Sequence, residues 1–321
     1  MKYKVTIVMP VYGVEKYIEE SLNSIIEQNQ EKVQLILVDD GTKDNSIDIA
    51  KECLKNTKKI DYKIVAQENA GLPAARNKGF AYAEGEYICY IDSDDCISPN
   101  HLVNLVRALD ATKLNVAFSD FELTYIKTGR LGSEDKCGDY EILERDDLLV
   151  KYMKRNLKIH ACALLIRRDF LIKNNLAFNP QLKYAEDYEF MWRLFPVTEK
   201  VVHVKDATYK YLQRENSIMR AQSIDKVVIA SHVFDDSFSK MLYEHPELKN
   251  IVSLTPDRVC FAYAHAFAQQ SDFASYSMLL DRLQYRRRFK NLIVFPDIKV
   301  KVLAIATLIN KRLSFCMIKL Y

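Results

Sequence analysis

Residues 35–42 read LILVDDGT, four consecutive apolar residues that run directly into two acids and a glycine turn. A continuous apolar run of this kind is typical of a parallel strand that helices cover on both faces. Similar short runs occur at 5–9 and 62–66, and amphipathic stretches at 14–28 and 44–56 separate the three. This order predicts βαβαβ, and hence an α/β protein with an open, doubly wound, mostly parallel sheet.

The pattern changes in the second half of the chain. Before that, we expect a helix that opens at Pro73, a strand at 87–91 and a helix over 99–110. All eight glycines lie between residues 13 and 138, whereas the chain after about 221 has helical periodicity at 227–243, 259–270 and 276–288. The sequence therefore predicts an α/β domain over 1–220 that holds the ligand-binding turns, and a helical C-terminal region over 221–321.

Composition narrows the class of protein. A chain of 321 residues that is 49% hydrophobic can bury a full core. It contains no run of the roughly 18 apolar residues that a membrane-spanning helix needs. Residues 1–10 lack the features of a signal peptide, so we expect a cytoplasmic protein. The seven cysteines are scattered without a CxxC spacing, which is typical of reduced thiols and not of disulfides or zinc sites.

Positive charge is concentrated at the end of the chain. Residues 282–321 carry a net charge of +9, whereas residues 1–281 carry −6. Cations adjoin apolar residues at 286–295 (RRRFKNLIVF) and around 302–309 (VLAIATLI). This pattern predicts a basic amphipathic helix in the interface of an anionic membrane. The alternative is a helix packed on the catalytic domain or on a second subunit. We expect no nucleic-acid partner, because nothing else resembles a nucleic-acid module.

Two acidic clusters directly follow predicted strands. The VDDGT segment at 38–42 points two carboxylates into the crevice where ligands bind in open α/β sheets, although helix capping is the alternative. The YIDSDD segment at 90–95 holds three carboxylates, which repel one another unless a cation lies among them. A hard divalent ion with positions open for phosphate oxygens would serve, and a solvated acidic turn is the alternative.

Three further clusters combine charges with helix starts or loops. The ENAGLPAARN segment at 68–77 places a cation at a predicted helix start, which can bind an anion or orient a nucleotide base that carries an amide. The alternative is that its proline and alanines only favour good helix packing. The acids of YAEDYEFMWR at 184–193 either interact with the dipole at the start of a helix or include a general base that deprotonates a hydroxyl. The YLQRENS segment at 211–217 offers a cation and a hydroxyl to a diphosphate, or forms a surface turn.

In their order and spacing these clusters resemble glycosyltransferase family 2, whose members adopt the GT-A fold, a Rossmann-like α/β fold. The matches are Pro-x-Tyr at 10–12, VDDG, NAGLPAARN, DSDD at 92–95 and AED at 185–187, over roughly residues 4–217. The chain is similar to bacterial enzymes that build capsule, O-antigen or teichoic-acid glycans. The resemblance implies an inverting, metal-dependent hexosyl or N-acetylhexosaminyl transfer. The donor would be a nucleotide sugar, with UDP favoured, and the acceptor a hydroxyl of a glycan or lipid-linked glycan at the inner face of the membrane.

The resemblance also assigns roles by position. Asp94 matches the principal ligand of Mn²⁺ or Mg²⁺, Asp187 matches the catalytic base, and Glu186 would orient that base or bind the acceptor. The remaining matched positions would bind the nucleotide sugar: Pro10, Tyr12, Asp40, Asn69 and Arg76 at the base, Asp92 at the ribose or metal shell, and Arg214 with Ser217 at the diphosphate. The match is looser at 211–217 than at DSDD and AED.

Two other classes fit parts of the pattern. A nucleotidyltransferase-like enzyme would also need a metal-binding carboxylate cluster on an α/β sheet, but it would not need the AED helix start. A non-catalytic nucleotide- or glycan-binding module would need neither Asp94 nor Asp187, and both are present.

Overall fold

A computed structural model describes residues 2–124, 139–182, 184–212 and 223–320. The chain divides into two units, of which the first comprises residues 1–145 and 158–214. The second comprises residues 146–157 and 215–321. The predicted boundary at residue 220 lies outside the described residues, so the division into 1–220 and 221–321 stays a prediction.

The strands of the described residues form one mixed sheet. In chain order they are β1 (Tyr3–Val11), β2 (Val33–Asp39), β3 (Ile60–Ala66), β4 (Gly85–Tyr90), β5 (Cys96–Ile97), β6 (Val116–Thr124), β7 (Tyr140–Glu144), β8 (Leu164–Arg167) and β9 (Lys200–Leu212). Their spatial order is β3-β2-β1-β4-β8-β6-β9-β5, and β7 pairs with β9. The first four strands are parallel, whereas β8 runs antiparallel to both of its neighbours.

The helices follow the predicted alternation in the first half and dominate the end of the chain. In chain order they are α1 (Ile18–Ile26), α2 (Ser46–Leu54), α3 (Leu72–Phe80), α4 (His101–Thr112), α5 (Arg145–Met153), α6 (Arg168–Lys173), α7 (Glu186–Leu194), α8 (Ile224–Glu244), α9 (Lys249–Val252), α10 (Thr255–Gln270), α11 (Phe273–Arg282), α12 (Tyr285–Asn291), α13 (Ile298–Ile309) and α14 (Lys311–Leu320). The predicted α/β sheet with helices at the C-terminus is confirmed.

One predicted helix is wrong. The segment 276–288 forms two helices, because α11 ends at Arg282 and α12 begins at Tyr285. Gln284 between them has a φ of +53°, a left-handed conformation that no α-helix continues through. The buried positions explain the break, since Leu283 and Tyr285 are only two residues apart and cannot share one face of a helix.

The parallel strands bring the predicted ligand-binding turns to one edge of the sheet. Val11, at the end of β1, pairs with Asp39 of β2, which in turn pairs with Ala66 of β3. The loops that carry VDDG and NAGLPAARN therefore leave the sheet side by side, and the DSDD turn follows β4 at the same edge. Helix α3 packs very close to this sheet: a Cβ on Gly79 would lie 2.3 Å from Cγ1 of Val8.

The second unit contains one short, mostly apolar helix, α13. Helix α13 packs against α12 and α14. No helix in the described ranges is both long enough and apolar enough to span a bilayer.

Candidate active site

Two acids of the DSDD turn, Asp92 and Asp95, have different partners. Asp95 is fully buried, and its carboxylate accepts hydrogen bonds from the hydroxyl of Tyr209 (2.5 Å) and the backbone N–H of Leu212 (2.9 Å). Both donors belong to the last four residues of β9, so Asp95 joins the DSDD turn to the end of that strand. Burial, and then the charge of Asp92, raises the pKa of Asp95 to about 8. Asp94 is half-buried between these two acids in the sequence.

Arg76 is the cation of this cluster. Its side chain is only 2% exposed, and its guanidinium nitrogens lie 2.8 Å from the carboxylate of Asp92 and 3.3 Å from that of Glu186. Burial acts to raise the pKa of Asp92, but the Arg76 charge holds that pKa below its ordinary value. Arg76 thus supplies one positive charge beside Asp92, and a divalent ion among the acids of the DSDD turn stays a prediction. Arg76 thereby links the end of β4 to the start of α7.

A second set of contacts fixes α7 relative to α3. The side-chain amide of Asn77 donates to the carbonyl of Phe178 (2.7 Å) and accepts from its backbone N–H (2.9 Å). The ring of Phe178 stacks on Phe190 of α7 with centroids 4.3 Å apart, and the Arg76 guanidinium lies 4.8 Å from its centroid. The NAGLPAARN segment therefore positions the helix that carries AED.

Glu186 and Asp187 occupy the first turn of α7 and have different surroundings. Burial, and then the charge of Asp187, raises the pKa of Glu186 to about 7, while Arg76 acts in the opposite direction. Asp187 is half-buried and accepts from the backbone N–H of Tyr188 (2.7 Å). The preceding Ala185 has a φ of +59°, a conformation that is strained for alanine and that the surrounding packing must maintain. Strain and a raised pKa are both typical of functional sites.

Asp40 holds the loop before α3. Its carboxylate accepts from the side-chain amide of Gln67 (2.8 Å) and from the backbone N–H groups of Ala70 (2.8 Å) and Gly71 (2.9 Å). Gly71 has a φ of +88°, which favours glycine at this position. The VDDG and NAGLPAARN segments are therefore joined directly, and the predicted contact of Asp40 with a nucleotide base stays a prediction.

The other residues predicted at the base lie along the same edge. Pro10 is buried in β1 beside Val38. Tyr12 directly follows β1 and its side chain is exposed, as is Asn69 in the loop before α3. A ligand at this edge could reach both exposed side chains, and their role in binding stays a prediction.

His160 was missed by the sequence reasoning. Its ring stacks on Tyr209 with centroids 5.1 Å apart, and its Nδ1 accepts the backbone N–H of Cys162 (3.3 Å). The neutral ring therefore carries its proton on Nε2. Burial lowers the pKa of His160, while the charges of Asp92 and Asp187 act to raise it. A single histidine outside any motif gives no signal in the sequence, because its neighbours here come from distant segments.

Comparison with known proteins identifies the family. Residues 6–172, more than half of the chain, match the family described as glycosyl transferase family 2. The chain belongs to glycosyl transferase family 2. The resemblance inferred from five short motifs is thereby confirmed over a continuous stretch that includes β1 to β4, although it ends before the AED segment.

A curated relative supports the same family. The chain is 31% identical over 219 residues to the putative glycosyltransferase EpsH of Bacillus subtilis. The match covers 67% of this family 2 chain and 62% of the relative, so the chain spans less than two thirds of EpsH.

Solved structures confirm the predicted GT-A fold. Staphylococcus aureus TarS, residues 1–349, in complex with UDP, has a TM-score of 0.66 and 18% sequence identity, with 98% of this chain and 90% of that chain covered. The mannosyltransferase PcManGT of Pyrobaculum calidifontis in complex with GDP-Man and Mn²⁺ has a TM-score of 0.58 and 15% identity, with 100% and 88% covered. At these identities the likeness establishes the shared fold.

The acidic turn of this family 2 chain contains the residue predicted to hold a metal ion, Asp94. The described residues contain no group of three or more His, Cys, Asp or Glu side chains arranged to hold a metal ion. Asp92 contacts Arg76 and Asp95 contacts Tyr209, and the role of Asp94 as a metal ligand stays a prediction. Mg²⁺ is commonly held by one or two carboxylates, substrate phosphates and water, so one protein ligand is compatible with such an ion.

The two residues predicted to clamp the diphosphate, Arg214 and Ser217, lie outside the described residues. The described part of β9 ends at Leu212, whose backbone N–H is bonded to Asp95. The chain therefore enters the predicted clamp segment from a position tied to the DSDD turn.

Proposed function

We propose that this chain transfers a sugar from a nucleotide sugar to a hydroxyl of a glycan or lipid-linked glycan, with inversion at the anomeric carbon and with a divalent cation. One observation carries the proposal. Arg76 is buried between Asp92 and Glu186, and so brings the turn that contains Asp94 next to the helix start that contains Asp187. The proposed metal ligand and the proposed base therefore share one edge of the sheet, where donor and acceptor must meet.

The nucleotide of the donor is proposed to be UDP. Tyr12 and Asn69 offer exposed side chains after the ends of β1 and β3, whereas the other residues proposed at the base, Pro10, Asp40 and Arg76, are buried. The structure of TarS contains UDP, whereas that of PcManGT contains GDP-Man, so GDP sugars belong in any test. The sugar itself is proposed to be a hexose or an N-acetylhexosamine.

The proposed reaction has one proton transfer and one substitution. Asp187 takes the proton of the acceptor hydroxyl while the hydroxyl oxygen forms a bond to the anomeric carbon. The bond from that carbon to the diphosphate oxygen breaks on the opposite face, and the nucleoside diphosphate leaves with the bonding electrons. A Mn²⁺ or Mg²⁺ ion held by Asp94 would stabilise the negative charge of the diphosphate.

Other residues hold these groups in place. Glu186, paired with Arg76, orients the first turn of α7 and thus Asp187. Arg214 and Ser217 are proposed to contact diphosphate oxygens, where a cation stabilises the leaving group more strongly in the transition state than in the ground state. We further propose the setting of bacterial cell-surface polysaccharide synthesis, with the C-terminal residues 282–321 in contact with the inner face of the membrane.

The test is nucleotide release from a panel of UDP, GDP and dTDP sugars, with Mn²⁺, with Mg²⁺ and with a chelator. We expect one nucleotide to be released in a reaction that the chelator stops. Asp94→Ala should lose both metal-dependent donor binding and turnover. Asp187→Asn should keep donor binding and lose about 10²–10⁴-fold in turnover with acceptor, as removal of a general base does.

A matched control separates these effects from a general loss of charge. Asp48→Ala removes an exposed carboxylate from α2, and its turnover should equal that of the unsubstituted chain. Near-normal turnover of Asp187→Asn would contradict the base assignment. Release of sugar 1-phosphate instead of a nucleoside diphosphate, which requires attack at the phosphorus next to the nucleoside, would indicate a nucleotidyltransferase. Metal-independent nucleotide binding without turnover would indicate a non-catalytic binding module.

A further inference from the structure

Helix α13 exposes an apolar face. Ile298, Val302, Ile305 and Ile309 are all exposed, by between 36% and 76%. At 100° per residue these four side chains fall within about 60° of one another around the helix axis. The buried side of the helix carries small residues such as Ala304. A surface helix of a water-exposed protein normally has the reverse arrangement, with its polar face outward.

Cations border this face on both sides. From the centre of the face, Lys299 lies about 90° in one direction around the axis and Lys301 about 70° in the other. From Ile298 to Tyr321 the sequence contains no acidic residue. Asp297 precedes the helix as its N-cap, where its carboxylate accepts from the backbone N–H of Lys299 (2.8 Å). All charged side chains of residues 298–321 are therefore positive.

Some cations of the C-terminal residues are neutralised within the unit, and others are not. Arg282 is salt-bridged to Asp225, and Lys311 to Asp281. Lys301, which borders the apolar face, makes no salt bridge to a described residue. Among the described residues, Lys301 therefore offers an unpaired positive charge at the border of the face.

We propose that the α13 face, defined as Ile298, Val302, Ile305 and Ile309, lies in the interfacial region of a bilayer that contains anionic lipids. The inference deepens, and rests on, the membrane placement proposed above, and it names the residues and the lipid chemistry responsible. A 12-residue helix is about 18 Å long, too short to span a bilayer, so it would lie in the plane of the interface. Its apolar side chains would enter the acyl boundary and its lysines would meet anionic headgroups.

A second copy of the chain fits this face less well. A two-fold interface would place the same residues of both copies against each other. Lys301, at the border of the face, would then lie near a segment of the other copy, residues 298–321, in which every charge is positive. An anionic lipid headgroup would pair with Lys301 without that repulsion.

The experiment is flotation of the full chain with vesicles. Vesicles of phosphatidylcholine alone are compared with vesicles of equal parts phosphatidylcholine and phosphatidylglycerol, at low and high salt. We expect flotation with the anionic vesicles that weakens as salt rises. The double substitution Ile298→Glu/Ile309→Glu changes the two most exposed residues of the face, at 73% and 76%. It should lower the partition coefficient by at least about tenfold, the effect of losing a buried isoleucine side chain.

The control is Ile229→Glu, which replaces an isoleucine of α8 that is 55% exposed and lies away from α13 in the sequence. It should float as the unsubstituted chain does. Thermal unfolding and light scattering of each variant show that it is folded and report its oligomeric state. Nucleotide release without vesicles should be unchanged in Ile298→Glu/Ile309→Glu, so failure of the membrane proposal and failure of the transferase proposal are distinguishable.

Three results would overturn the proposal. The first is an unsubstituted chain that does not float with anionic vesicles. The second is a double variant that floats as well as the unsubstituted chain. The third is a dimer of the unsubstituted chain that the double substitution splits, without vesicle binding, since the face would then be an interface between copies.

Discussion

Replacement of Glu186 by glutamine should make the protein more stable at pH 8 and less active. Burial and Asp187 raise the pKa of Glu186 from 4.5 to about 7, so the folded state disfavours the charged carboxylate. The side chain is only 14% exposed, so solvent screens this effect little. The difference in pKa corresponds to about 3 kcal/mol of unfolding free energy. A glutamine amide cannot ionise, and its oxygen can still accept a hydrogen bond from Arg76.

The sign of the pH dependence follows from proton binding. Between about pH 4.5 and 7 the folded chain binds more protons at this position than the unfolded chain does, so the Glu186 contribution to stability falls as pH rises. Below this window the carboxyl is neutral in both states, and above it the carboxyl is charged in both. The advantage of Glu186→Gln should therefore be absent at pH 4.5 and reach about 3 kcal/mol at pH 8.

Urea unfolding at several pH values measures this difference, and nucleotide release at pH 8 measures the loss of activity. Glu31→Gln, an exposed carboxylate near the start of β2, is the control and should follow the unsubstituted chain. If Glu186→Gln were no more stable than the unsubstituted chain at pH 8, the argument from burial and like charge would be refuted. A variant with both higher stability and lost transfer would show that the site keeps a destabilising charge for function.

Two further predictions concern how the edge of the sheet is held. Gly79→Ala should destabilise the protein by about 1–3 kcal/mol, because the new Cβ would lie 2.3 Å from Cγ1 of Val8. Combination with Val8→Ala should cost less than the sum of the two single changes in urea unfolding, and strict additivity would contradict the clash. Tyr209→Phe removes the hydroxyl that donates to Asp95 and should cost about 1–3 kcal/mol. An unchanged urea midpoint would mean that the carboxylate has another donor.

The sequence predicted the first half of the fold because its signals there are local. The apolar runs at 5–9 and 35–38 form buried strands β1 and β2, and the glycine turns that follow them lie at the predicted edge of the sheet. The same reasoning failed at 276–288. The spacing of apolar residues there is close to that of one helix, but the buried positions shift to another helix face after Leu283. Periodicity over a window does not detect a shift of one residue in the middle of it.

The sequence named the candidate site residues, but it did not predict the contacts between distant segments that hold them. The motifs gave the acids and the cation, yet no local signal shows that Arg76 pairs with Glu186, which lies 110 residues later. The role of Asn77 in holding Phe178, 101 residues away, is equally invisible in the sequence. These contacts depend on how the sheet places α3 beside α7, and that placement is a property of the whole first unit.

The second unit is discontinuous in the chain, and this affects how the region can be exchanged between relatives. Residues 146–157 belong to it, and they include Leu148, Leu149 and Tyr152 of α5, which are buried. A chimera that takes only the residues after 220 from a relative would combine the C-terminal helices of that relative with the α5 of this chain, within one unit. Recombination that preserves this packing must therefore exchange residues 146–157 together with the C-terminal segment.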